Sequence, residues 1–166
     1  MEENVEFETI RPQRPVFLKV LCILTFIGSG YGMISNTISY FNATEMSKIA
    51  AEAMQEVDKK KDKDPESVNL LNKIKDNASV MATPENIRKA AMGNIITSAF
   101  CLLGAVLMWN LRRTGFYIYT LATVISIILP FYLFGSNFLT NLSGGILGFI
   151  GILFIIFYAM NIKSMK

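Results

Sequence analysis

Ala90–Asn110 reads AAMGNIITSAFCLLGAVLMWN. Arg88 and Lys89 stand before it and Arg112 and Arg113 after it, with no charge between. Wound as a helix at 1.5 Å per residue, such a stretch covers the roughly 30 Å of a bilayer's hydrocarbon core. Asn94, Thr97 and Ser98 make it the most polar long apolar run in the chain, so if it crosses, three cleaner runs cross with it. These are Val16–Phe41 before it and Gly115–Phe134 and Gly144–Ile162 after it. Lys19 sits close enough to the start of the first to reach the headgroups along its aliphatic stem. The expectation is an all-α bundle of four transmembrane helices. A tail (1–15) precedes span one (16–41), and an outer helical hairpin (42–89) links it to span two (90–110). Span three (115–134), span four (144–162) and a second tail (163–166) follow.

Composition agrees. Of 166 residues, 52% are hydrophobic and 17% charged, and mean hydropathy is +0.39. Soluble domains carry about a quarter charged residues, so lipid is part of the solvent. His is absent and Cys numbers two. The chain's own residues therefore cannot build a His-based zinc site, a Ser-His-Asp triad, a Cys-His dyad or a haem-His bond. No catalysis, cofactor or metal is expected. The net charge of +3 gathers at span edges instead of forming a stripe, which argues against nucleic acid.

Lys and Arg in short connections set orientation. Arg11, Arg14 and Lys19 precede or open span one, Arg112 and Arg113 join spans two and three, and Lys163 and Lys166 follow span four. Gly135–Ser143, between spans three and four, is uncharged. Both termini and the Arg112 turn are expected in the cytoplasm. The hairpin carries nine basic residues, but nine acidic ones balance them and most lie far from the span ends; Arg88 and Lys89, beside span two, run against the rule. The competing reading of span one is a signal peptide cleaved near Gly28-Ser29-Gly30. Apolar character continues to Phe41 and the leading Glu2, Glu3, Glu6 and Glu8 make a poor basic region, so a retained span is preferred.

Within the hairpin, Asn42 and Glu45 have capping-box spacing, and Met46, Ile49, Ala50, Ala53, Met54 and Val57 recur at helical intervals. Asp64-Pro65 starts a second helix to about Asn77, and Thr83-Pro84 starts a third that runs into span two. About 48 residues bury little core alone, so the apolar faces pack on each other, on the membrane or on a partner. Met46, Ile49, Met54 and Val57 are the candidate partner face. Asp62, Asp64 and Glu66 begin like a calcium loop, but Ser67 and Lys73 occupy the positions that need Gly and Glu. Asn42, Asn77 and Asn141 open glycosylation triplets, all on the expected outer side.

In lipid, small residues show which helix faces meet. The candidate packing positions are Gly28, Gly32 and Ser35 in span one, Gly93, Thr97, Cys101 and Gly104 in span two, and Gly144, Gly148 and Gly151 in span four. Gly28-Ser29-Gly30-Tyr31-Gly32 lies inside an apolar run with no strand before it, which excludes a dinucleotide turn. Pro130 should bend span three. Cys22 and Cys101 are expected at unlike depths and unpaired. No span holds an acid or base beyond Lys19, which argues against a proton-coupled pump. Asn36 and Asn94 are the candidate polar cavity, with interhelical hydrogen bonding as the competing explanation.

Arg112-Arg113 running into Gly115-Phe116-Tyr117-Ile118-Tyr119-Thr120, Pro130 within span three, and Tyr158-Ala159-Met160-Asn161-Ile162-Lys163 resemble uncharacterised small four-span bacterial inner-membrane proteins. The resemblance implies that location and no activity. The outline is also similar to tetraspan organisers, but their cysteine-stabilised outer loops are missing. The first expectation is a membrane scaffold or accessory subunit, acting through helix packing and the hairpin on a membrane-protein partner or a second copy. The alternative is a small permease or lipid-binding protein that uses the polar faces of spans one and two.

Overall fold

The computed structural model describes residues 15–59 and 65–165, and every regular element among these is a helix, with no strand. Arg11, Arg14, Asp62 and Asp64 lie outside the described residues, as do the side chains of Val57 and Glu66. The helices are α1 (Val16–Phe41), α2 (Ala43–Lys59), α3 (Pro65–Met81), α4 (Pro84–Trp109), α5 (Arg113–Phe134) and α6 (Phe138–Met160), followed by a 3-10 turn at Ile162–Ser164. α1, α4, α5 and α6 are each long and apolar enough to cross a membrane. The chain is a multi-pass membrane protein built as a helical bundle, with α2 and α3 forming a hairpin at one end.

Local chemistry sets the boundaries. α4 begins a turn and a half before its apolar stretch because Thr83 caps it, its Oγ1 accepting the Asn86 N–H at 3.4 Å, while Pro84 occupies a first-turn position that needs no N–H. α6 begins at Phe138, where the sequence reading places a loop up to residue 143. The cause is Asn137, whose Oδ1 accepts from the Thr140 N–H at 3.0 Å and the Thr140 hydroxyl at 2.9 Å. α3 runs to Met81, one turn beyond the expected end. The capping box at Asn42 does not form. The Asn42 N–H continues α1 by donating to the Ile38 carbonyl, and Glu45 pairs with Lys48 at 3.0 Å. Gly28–Gly32 is plain helix, and α5 continues through Pro130.

α4 lies between α1 and α5, and α6 packs on α5. The α4–α5 crossing is the tightest contact. A Cβ built on Gly104 would lie 2.9 Å from the Gly115 carbonyl oxygen, and one on Gly115 would lie 2.6 Å from the Met108 amide nitrogen. Only two glycines let these backbones approach so closely.

The end of the bundle that holds the α4–α5 turn and the last described residues is closed. Leu18, Leu21, Cys22, Met108, Leu111, Tyr119, Tyr158 and Met165 form one buried cluster there. α6 reaches α1 through the Phe17–Phe157 edge-to-face pair and through Thr25 Oγ1 and Tyr158 Oη, 2.7 Å apart. Arg113 Nε donates to the Met165 carbonyl at 2.7 Å, tying the tail to the start of α5. In the connecting turn, Leu111 has φ of 58°, a left-handed conformation that costs a branched residue about 1–2 kcal/mol. Its side chain is buried in the cluster, which offsets that cost. At the opposite end α2 leans on α4 and α3, and α3 on α6 and α4, so the hairpin is folded onto the bundle.

Candidate functional site

The hairpin end is open where the other end is shut. A cleft of about 280 Å³ lies between α1, α4 and α5, with Met81 of α3 and Ser143 of α6 at its rim. Two carboxamides meet in it: Asn94 Nδ2 donates to Asn36 Oδ1 at 3.3 Å. Asn36 is oriented from behind, its Nδ2 donating to the Gly32 carbonyl at 2.6 Å. The two explanations offered by the sequence therefore hold together, since the amides join α1 to α4 and also line a cavity.

The hydroxyls of the cleft point their protons away from it. Ser39 Oγ donates to the Ser35 carbonyl at 2.9 Å, and Ser143 Oγ to the Thr140 carbonyl at 3.3 Å. A hydroxyl that has spent its one proton presents lone pairs only. Among the described residues, no charged side chain lines the cleft; its remaining wall is apolar, with Ile87, Leu129, Leu133 and Phe134. Pro130 is part of that wall, and its ring removes the N–H that would donate to the Ser126 carbonyl four residues back. The cavity thus combines an acceptor-rich polar spot with a greasy lining.

The structure distributes the expected packing residues unevenly. A Cβ on Gly32 would meet Ser98 Oγ at 3.3 Å, on Gly144 the Phe131 ring at 2.7 Å, and on Gly151 the Thr123 methyl at 2.6 Å. Gly93 sits directly on Leu129, and Gly148 has ordinary space before Ile127 at 3.8 Å. Thr97 is buried, its hydroxyl turned back to the Gly93 and Asn94 carbonyls at 3.1 Å each. Ser35 and Cys101 are half-buried, and Cys22 and Cys101 are not joined. Gly28 departs from the expectation: nothing lies within 4 Å of its built Cβ, and it is exposed. The inward row of α1 runs Leu18, Cys22, Thr25, Ser29, Gly32 and Asn36, and Gly28 belongs to the adjacent row.

On the candidate partner face, Met46 is exposed, Ile49 is 64% exposed and Met54 is half-buried. Sequence reasoning missed four features: the Thr25–Tyr158 pair, the Arg113–Met165 tie, Met81 at the rim of the cleft and Gly115 at the α4–α5 crossing. The first had a signal, because a tyrosine hydroxyl deep in an apolar span needs a partner in lipid. Among the described residues, no group of three His, Cys, Asp or Glu is arranged to hold a metal ion. Compared with protein-family models, with curated proteins and with solved structures, the chain matches none.

Proposed function

We propose that this protein is a non-catalytic lipid-binding membrane protein that takes the headgroup of an uncharged, hydroxyl- or amide-bearing amphiphile into the cleft at its hairpin end. The observation that carries the reading is the Asn36–Asn94 pair inside an uncharged cavity whose serine hydroxyls have turned their protons away. The free lone pairs of Asn94 Oδ1, Ser39 Oγ and Ser143 Oγ, beside the one unspent N–H of each carboxamide, favour a headgroup that both donates and accepts, and the absence of a cation among the described lining residues disfavours an anionic one. Ile87, Leu133 and Phe134 supply apolar surface for the start of an acyl chain. In this reading the protein sits in a bacterial inner membrane with both termini and the Arg112 turn in the cytoplasm, by the distribution of Lys and Arg, and the cleft faces the outer side.

The test is to purify the full chain in mild detergent, extract what stays bound and weigh it by mass spectrometry. One amphiphile enriched over bulk lipid, and lost in Asn94→Leu at unchanged helicity, supports the proposal. An identical lipid profile for the two proteins overturns it. Flux of that amphiphile in liposomes holding this chain alone would make the protein a permease.

A second reading, the scaffold, draws on the apolar residues Met46 and Ile49 of α2, which are 40% and 64% exposed. It predicts that a second protein, or a second copy of this chain, co-purifies and is lost when both positions are changed to Glu.

A further inference from the structure

Around α4 from the cleft, on the side that would face lipid, a different surface combines charge with an apolar furrow. Near the membrane edge a shallow pocket of about 380 Å³ is formed by Tyr40 of α1 with Glu85, Arg88, Lys89 and Met92 of α4. Glu85 pairs with Lys89 at 2.7 Å, which leaves the pocket one positive charge in excess. Below it lies a second cavity of about 230 Å³, wholly apolar, between Ile96, Phe100 and Leu103 of α4 and Ile118, Leu121 and Ile125 of α5.

The two are one track. Lys89, Met92, Ile96 and Leu103 follow at intervals of three, four and seven residues, so they share one face of α4. From Lys89 to Leu103 the track runs about 21 Å at 1.5 Å per residue. One leaflet of hydrocarbon is about 15 Å deep, so the furrow extends through the whole depth reached by an acyl chain below the basic pocket. Met92, Ile96, Phe100 and Leu103 are all about half exposed along it, and on α5 Leu121 is 63% exposed.

We infer that this track is a binding site for an anionic phospholipid of the leaflet at the hairpin end. Its phosphate rests against Arg88 and Lys89 beside the Tyr40 ring, and one acyl chain lies in the furrow between α4 and α5. Charge complementarity selects the headgroup. A basic residue near a membrane surface favours an anionic lipid by about 1 kcal/mol, and one net charge corresponds to about a fivefold preference over a zwitterionic lipid of the same chains. The furrow requires that the anion be attached to a chain. The site is separate from the cleft, with different residues and the opposite headgroup preference.

The experiment uses the full chain in nanodiscs containing a trace of photoactivatable phosphatidylglycerol or phosphatidylcholine, with label in the acyl chain. Phosphatidylglycerol should mark peptides of α4 and α5 about five times more heavily. The single variant R88Q, which leaves only the neutral Glu85–Lys89 pair, should bring the two lipids to parity; R88Q/K89Q, which leaves Glu85 alone, should turn the preference against phosphatidylglycerol, while R88K/K89R keeps the original preference. Ile125→Trp, which fills the furrow but leaves the charges, should lower labelling by phosphatidylglycerol, whereas Asn94→Leu should not change it. Equal labelling of the wild-type chain by the two lipids, a preference that survives R88Q/K89Q, or displacement of the label by millimolar inorganic phosphate would each overturn the assignment.

Discussion

Thr25 and Tyr158 lie 133 positions apart in the chain, and their hydroxyls meet at 2.7 Å inside the closed end of the bundle. The two partners are not equally dependent on the bond. Three threonines elsewhere in these helices satisfy themselves on the carbonyl four residues back, Thr37 on Met33, Thr97 on Gly93 and Thr123 on Tyr119. Thr25 has the same recourse at Leu21 if Tyr158 is lost. Tyr158 has none on its own helix, and its other polar neighbours are the Cys22 thiol, a weak partner, and the Tyr119 side chain, which itself lies against Thr123 and Thr25. Thr25→Val should therefore destabilise the protein by about 1–3 kcal/mol, the penalty of an orphaned buried hydroxyl. Tyr158→Phe should cost about 1 kcal/mol or less, and the double variant should resemble Tyr158→Phe alone. Reversible unfolding in mixed micelles gives the ranking, and a Tyr158→Phe loss equal to or larger than that of Thr25→Val would contradict it. The sequence carries no sign of this pair beyond a polar group in an apolar run, because pairing two helices' hydroxyls requires their relative rotation and depth.

At the scale of elements, much was legible and the remainder has identifiable causes. α1 begins and ends where its apolar run does, because lipid leaves a backbone no stable alternative to helix over that length. The ends of α3 and α6 were less legible, since a single side-chain acceptor such as Asn137 can start a helix that hydropathy alone would begin later. Small residues show that a helix has a close-packed face but not which of two adjacent rows it is. On α1 the rows through Gly28 and through Ser29 both pass through Gly32, and packing chose the second. On α4 and α5, Gly104 and Gly115 face backbone, which cannot move aside as a side chain can. Gly115→Ala and Gly104→Ala are thus expected to cost about 2–3 kcal/mol or to displace the crossing, as overpacking does. Gly28→Ala should be neutral or stabilise by up to about 1 kcal/mol through helix propensity. Thermal unfolding of the three variants in one detergent separates them, and a Gly28→Ala loss comparable to Gly115→Ala would mean that α1 faces the bundle differently.

The whole molecule is asymmetric from end to end. At one end a buried cluster, the Arg113–Met165 tie and the α4–α5 glycine crossing bring all four spans together. At the other, the spans leave a polar cleft beneath α3. Asn36 and Asn94 could be singled out in the sequence because they are the amides of two apolar runs at similar depth, counted from the hairpin. The cleft itself was not legible, since it exists only where α3 and α5 complete it with Met81 and Leu129. An asymmetric vessel of this kind has one mouth, and that has a consequence for chemical access. In a background with Cys22 and Cys101 replaced by Ala, single cysteines at Asn36 and Asn94 should react with a small impermeant thiol reagent from the side that also labels a cysteine at Ser67. A cysteine at Thr114 should react from the opposite side, and one at Thr25, 6% exposed, from neither. The intervening closed half is what forbids labelling of Asn36→Cys from the Thr114 side. Reaction from both sides would mean that the cluster around Tyr158 opens in the membrane and that the path through the bundle is continuous. Reaction from neither would mean that the hairpin seals the cleft and has to lift before anything enters.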